Sequence, residues 1–173
     1  MKLLKRVKLC NVTDESRIIL REATRAICIR GNDILLLYTG RYDDYSLPGG
    51  GVDADESYEN ALIRELNEET GVVNVKNIKP FGIYEEFRPW NREDEFDVQH
   101  MISYCYTCSI DEKLGQTNYE SYEIKNNMKP VWINIDKAID HNEHNILNSL
   151  KKGISIERET FLLKRIKDTL IQS

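Results

Sequence analysis

Apolar and polar positions alternate along this chain with two periods, one belonging to strands and one to helices. TRAICIR (24–30), a Gly31-Asn32 turn and DILLLY (33–38) read as a hairpin, since short apolar runs bounded by turn residues mark paired strands. Four consecutive apolar residues, ILLL, predict a central strand covered on both faces. TGRYDDYSLP (39–48) reads as a loop. Gly50 to Val72, GGVDADESYENALIRELNEETGV, reads as a glycine turn followed by a short helix. Ala61, Leu62 and Leu66 form its packing face. Ser57 or Asp55 can cap its start, and Gly71 can end it in the left-handed conformation.

Val72 to Phe87 is rich in Val, Ile, Phe and Tyr and is broken by Pro80 and Gly82, which predicts two strand pieces joined by a kink. A charged loop (88–97), a strand (98–110) and a polar turn (111–118) follow. Residues 119–124 could be strand or loop, 129–135 read as a strand, and 136–140 start a helix. In 155–173, Leu162, Ile166 and Leu170 repeat at every fourth position, as in an amphipathic closing helix. Residues 1–20 could supply one or two flanking strands, or pair with a second copy in a homodimer. Strands and helices do not alternate regularly, so the expectation is an α/β (α+β) fold, a mixed sheet with helices on both faces, in one domain over 1–173.

Composition adds little until the charge is divided. The 173 residues are 40% hydrophobic and 31% charged, ordinary for a globular chain, with a net charge of −5. Residues 50–72 hold seven acids and one arginine, or −6, which leaves +1 for everything else. No basic excess marks a nucleic-acid surface. No run of 18 apolar residues predicts a membrane span, and MKLLKRVKLC lacks the apolar core of a signal peptide. Cys10, Cys28, Cys105 and Cys108 are expected to be reduced thiols in a cytoplasmic setting. Cys105 and Cys108 form a CxxC, but on a strand they face opposite sides, which argues against a zinc pair.

The chemistry concentrates on the helix. Glu65, Glu68 and Glu69 stand at i, i+3 and i+4, so their carboxylates share a face. Each like-charge pair costs roughly 0.2–0.5 kcal/mol. The last turn is also the negative end of the helix dipole, which adds about 0.3–1 kcal/mol. A hard cation reverses both signs, because Mg²⁺ takes carboxylate oxygens.

The stretch resembles a complete Nudix box, G-x5-E-x7-R-E-U-x-E-E-x-G-U with U aliphatic, in Gly50, Glu56, Arg64, Glu65, Leu66, Glu68, Glu69, Gly71 and Val72. Outside these 23 residues the likeness is looser. The resemblance implies an α/β/α sandwich. It also implies Mg²⁺- or Mn²⁺-dependent hydrolysis of a nucleoside diphosphate linked to another group X, releasing a nucleoside monophosphate. X would make the substrate a nucleotide sugar or ADP-ribose, a (deoxy)nucleoside triphosphate or a dinucleoside polyphosphate. By position, Glu65, Glu68 and Glu69 would hold metal, with a backbone carbonyl of Gly49 or Gly50. Glu65 is the first choice of general base; Glu69, or a distal carboxylate (Glu123 before Glu120), is the alternative. Arg64 and Glu56 would pair to hold the carboxylates apart, and Gly71 would be structural.

Substrate contacts must come from outside the box. Tyr42, Tyr45, Phe87 and Trp90 could stack on a base, and Glu85 or Glu86 could face the substrate. His100, His141 and His144 read as structural or surface residues. Two other readings remain. One is a non-catalytic nucleotide sensor, for which the costly acids would be unnecessary. The other is an isomerase of the same fold, which calls for a cysteine where none lies between Cys28 and Cys105.

Overall fold

The computed structural model describes residues 1–92, 95–111 and 113–171. Parts of the expected 88–97 loop, 111–118 turn and C-terminal helix therefore lie outside the described residues. In order, the elements are β1 (Leu3–Lys8), β2 (Ile18–Ile27), β3 (Ile29–Arg30), β4 (Asp33–Thr39), β5 (Asp44–Ser46), α1 (Tyr58–Thr70), β6 (Val75–Pro89), β7 (Val98–Ile110), α2 (Ser121–Lys125), β8 (Met128–Asn134), α3 (Ile135–Asn148) and α4 (Ile156–Ile166). A π-helical turn, Lys167–Ile171, extends α4.

Two sheets form the middle layer. One is mixed, in the order β1-β6-β7-β2, with its outer pairs parallel and β6/β7 antiparallel. The other is antiparallel: β4 lies between β8 on one side and β3 and β5 on the other. The expected hairpin is corrected here. Thr24 to Ile27 belong to β2 and pair with β7, and only Ile29 and Arg30 turn back on β4. The Gly31-Asn32 signal fixes just the residues beside the turn; the rest of the apolar run finds a partner some 80 residues away. Cys28 is the crossing point, and its carbonyl accepts from Leu35 N at 3.0 Å.

Strand alternation sorts the side chains into two cores. Ala26, Cys28, Leu35, Tyr106 and Cys108 face Leu62 and Leu66 of α1. Ile27, Ile34, Leu36, Tyr84 and Cys105 face Ile135, Ala138, Ile139, Leu162, Leu163 and Ile166 of α3 and α4. Cys105 and Cys108 thus lie on opposite faces, and Cys108 Sγ sits 3.3 Å from Cys28 Sγ. Burying Leu62 and Leu66 completely contributes roughly 1.5–3 kcal/mol each. The helices on both faces give the expected layered fold.

Other differences are local. The 39–48 loop contains β5. Residues 75–89 form one strand rather than two pieces, with register shifts at Lys76/Lys79 and Pro80/Gly82. Residues 121–125 are helical. Leu170, beyond the α-helical part of the closing helix, is exposed. Among the described residues no helix is long and apolar enough to cross a membrane.

Helix α1 starts where Ser57 Oγ accepts from Asn60 N at 3.2 Å. It ends at Gly71, with φ 69° and an N–H bonded to Asn67 O at 2.8 Å. A Cβ at Gly71 would also collide with the backbone of Gly115. Gly71→Ala is therefore expected to cost more than the roughly 1–2 kcal/mol of a left-handed L-residue. Gly71→Asn, which tolerates that conformation, should not recover the loss, because the backbone collision remains. Urea unfolding of the three proteins checks this; full recovery in the Asn variant would contradict it.

Candidate active site

The glycine turn lies along the free edge of β2 like an added strand. Thr24 N donates to Gly50 O (3.0 Å), Ala26 N to Pro48 O (2.8 Å) and Val52 N to Glu22 O (3.1 Å). Gly49 has φ 132°, and a Cβ there would collide with Thr24 O. A Cβ on Gly50 would fall 2.5 Å from the Glu65 carboxylate. The absence of side chains lets the turn wedge between β2 and the second half of α1.

Arg64 binds the acids together. Its guanidinium donates to both oxygens of Glu56 (3.0 and 2.9 Å), to Glu65 (2.8 Å), to Glu68 (3.4 Å) and to the Gly51 carbonyl (2.9 Å). Hydrogen bonding to Glu56 raises the Arg64 pKa and lowers that of Glu56. Glu69 is buried, and its carboxylate accepts from Gly49 N at 2.6 Å. Burial drives its pKa well up; the Gly49 N–H opposes the rise, and the charges of Glu65 and Glu123 add to it. Burial raises Glu65 as well, against the pull of Arg64. Burial is thus the main source of the raised proton affinity, and the repulsion expected from the sequence adds to it.

Among the described residues, no three acidic, histidine or cysteine side chains are already drawn together as a cation cage. Arg64 bridges Glu65 and Glu68. The donor set still fits a hard divalent cation, because every candidate is an oxygen: three carboxylates and a backbone carbonyl. The Gly50 carbonyl accepts one hydrogen bond and keeps a second lone pair.

A cleft of 960 Å³ opens in front of this face and is lined by Glu65, Glu68, Glu69, Gly50, Tyr42 and Glu120, among others. Glu123 is buried behind Glu120 and accepts from its backbone N–H at 2.6 Å. Several sequence-derived substrate contacts stand elsewhere. Tyr45 packs against Tyr38 and His141, with centroids 5.2 and 5.1 Å away. Phe87 stacks on His100 at 4.1 Å, beside Glu85, which is bonded to His100 and Arg6. Trp90 is off the cleft wall and packs against Arg92. Glu86 is buried and paired with Arg88 (3.3 Å) and Arg158 (3.2 Å), so it braces the wall from behind. Alternation puts Glu85 and Phe87 on the face of β6 away from the cleft-lining Arg88; Glu86 shares the face of Arg88 but is taken up by its two arginines, and Trp90 follows the end of the strand. His141 bonds Asp43 at 3.0 Å, and His144 is exposed.

The sequence reading missed the basic residues of the cleft: Arg21, Arg25, Arg88, Arg92, Lys152 and Arg158. One signal was present. Arg21, Ala23 and Arg25 alternate along β2 and so share a face.

Asp44 also lines the cleft. Burial, and then the charge of Glu159, pushes its carboxyl up to about 6. The folded group holds its proton more tightly than the unfolded one. Its stabilising contribution is thus full below about pH 4 and is lost as pH rises through about 6. Asp44→Asn removes this titration. The stability of the variant relative to the parent should climb by up to about 3 kcal/mol between pH 4 and 7, measured by urea unfolding at each pH. A pH-independent difference would contradict the assignment.

Comparison with known proteins agrees with this geometry. The family model described as NUDIX domain matches residues 20–152. Diphosphoinositol polyphosphate phosphohydrolase 3-alpha of Mus musculus, and the protein of the same name from Homo sapiens, are each 29% identical over 123 residues, 66% of this chain and 66% of theirs. The chain thus spans about two thirds of the length of these relatives. The crystal structure of the mutator MutT protein from Bacillus halodurans superposes with a TM-score of 0.59 at 22% identity, covering 83% of this chain and 80% of that one, a likeness of fold. Since the family model covers most of the chain, and its defining residues are the ones gathered around Arg64, this protein belongs to the Nudix hydrolase family.

Proposed function

We propose that this chain hydrolyses a phosphoanhydride bond of a small diphosphate compound with the help of Mg²⁺ or Mn²⁺, a nucleoside diphosphate linked to a second group being the first candidate. The observation that carries this reading is the Glu65, Glu68 and Glu69 face, turned into a 960 Å³ cleft beside the glycine turn. The names of the relatives, phosphohydrolases of diphosphoinositol polyphosphates, support the bond type.

Glu65, Glu68, Glu69 and the Gly50 carbonyl would hold the metal, which when bound screens phosphate oxygens and lowers the pKa of attacking water. Arg64 keeps Glu65 and Glu68 fixed in direction, tied back to Glu56. Glu65 is the first candidate to accept the proton of the attacking water, with Glu69 next and the Glu120–Glu123 pair across the cleft as the distal alternative. Of the aromatic residues considered for stacking, Tyr42 alone lies on the cleft wall, so recognition of a base would fall to it.

The test is a panel of ADP-ribose, UDP-glucose, nucleoside triphosphates and dinucleoside polyphosphates, assayed with Mg²⁺ for released monophosphate or phosphate. At least one should turn over, and excess chelator should abolish the reaction. Glu69→Gln should remain folded and lose more than about 10²-fold in turnover, since metal-borne charge stabilisation is worth several kcal/mol. Tight binding of one member without turnover of any would overturn the reading in favour of a ligand-sensing module.

A further inference from the structure

The chain has four cysteines, and the hydrolysis proposed above uses none of them. All four are free thiols, and two of them meet. Cys28 Sγ and Cys108 Sγ lie 3.3 Å apart, close enough for one thiol to donate a weak hydrogen bond to the other. The contact follows from strand register. β2 and β7 run parallel, with Ile27 opposite Thr107 at the end of their ladder. Cys28 and Cys108 are each one residue further on. Both turn to the α1 side and pack in one cluster with Ala26, Leu35, Leu62 and Leu66. The other two cysteines stand apart. Cys105 lies on the opposite face, under α3 and α4, and Cys10 follows β1 at the far edge of the sheet.

Neighbouring strands lie about 4.7–4.9 Å apart, and a disulfide accepts Cα separations of roughly 4.4–6.8 Å. The spacing that the sheet imposes is therefore one that a disulfide tolerates. Closing the sulfur gap to about 2.05 Å asks for side-chain rotation rather than movement of a strand. The two thiols are also unequal. Cys28 is 1% exposed and Cys108 8%, so a small oxidant reaches Cys108 first. The hydrogen bond from Cys28 lowers the proton affinity of Cys108, and burial opposes it. An ionisable thiol with a second thiol in contact is the arrangement in which a sulfenic acid is resolved to a disulfide.

We propose that Cys28 and Cys108 form a site of reversible oxidation, closing to an intrachain disulfide when a peroxide is the oxidant. The Cys108 thiolate attacks one oxygen of hydrogen peroxide, the O–O bond breaks, and Cys108 sulfenic acid and water are formed. Cys28 then loses its thiol proton as its sulfur attacks the sulfenic sulfur; the S–S bond forms and the hydroxyl leaves as a second water. In sum, two thiols give up two electrons and two protons, and one peroxide becomes two waters. A dithiol reductant reverses the change. The bond joins positions 80 residues apart and ties the crossing point of β2 to β7, directly beneath the helix that carries the glutamates. Closing so long a loop restricts the unfolded chain, so the oxidised form is the more stable one.

The experiment treats the folded protein with hydrogen peroxide in a Cys10→Ser background, which removes the half-buried thiol outside the pair. Remaining thiols are blocked, and the protein is mapped by mass spectrometry without reduction. A Cys28–Cys108 cross-link should be found, with Cys105 recovered as a blocked thiol. The urea midpoint should rise by roughly 1 M or more and return to its starting value in dithiothreitol. Adding Cys28→Ala should leave Cys108 as a sulfenic acid that dimedone traps, and adding Cys108→Ala should leave Cys28 a thiol; neither should show the rise. Recovery of both thiols from folded protein under excess peroxide overturns the proposal. So does a cross-link that forms only after urea has unfolded the chain. The map of the Cys10→Ser protein decides the matter even if a further alanine variant fails to fold.

Discussion

One guanidinium holds the site in shape. Arg64 spreads its donors over Glu56, Glu65, Glu68 and the Gly51 carbonyl, and so ties the loop before α1 to the second half of that helix. The planar, permanently charged fork suits this work in a way a lysine point charge would not. Three carboxylates near the end of a helix are unfavourable by charge and by dipole. Arg64 offsets part of that cost, and the buried Glu69 has the Gly49 N–H and the charge of Arg25 to support its ionised form against burial.

The same economy of placement runs through the mixed sheet. On one face of β2 and β7, Glu22 accepts from Tyr58 and Tyr104, and Ala26 and Cys108 pack under α1. On the other face, Arg21, Ala23 and Arg25 line the cleft and Ile27 enters the core beneath α3 and α4. A strand can carry a buried core at one end and a charged groove at the other, because its side chains step along one face by about 6.6 Å every second residue. The acidic face of α1 and the basic face of β2 flank the glycine turn, and the backbone approach allowed at Gly49 and Gly50 sets them close together.

Features written in local sequence were the readable ones. The Ser57 cap, the Gly71 stop, the apolar face at Leu62 and Leu66, and the Arg64–Glu56 contact depend on residues within about two turns of helix or a short loop. The passage of β2 from one sheet to the other at Cys28 was not readable, because β2 chooses its partner in β7 across 80 intervening residues. The aromatic residues misled for a related reason. Tyr45 and Phe87 lie near the site along the chain, yet the faces they occupy are filled by His141 and His100. The basic wall is assembled from β2, β6, the segment after it, the α3–α4 connection and α4, so a net charge near zero outside the box concealed it.

The account depends on the glutamate face of α1 being a cation site. Anomalous diffraction from crystals grown in Mn²⁺ tests this most directly. It predicts a peak coordinated by oxygens of Glu65, Glu68 and Glu69, next to the Gly50 carbonyl. Crystals that show Arg64 still bridging Glu65 and Glu68, with no anomalous peak among those carboxylates at saturating Mn²⁺, would contradict it.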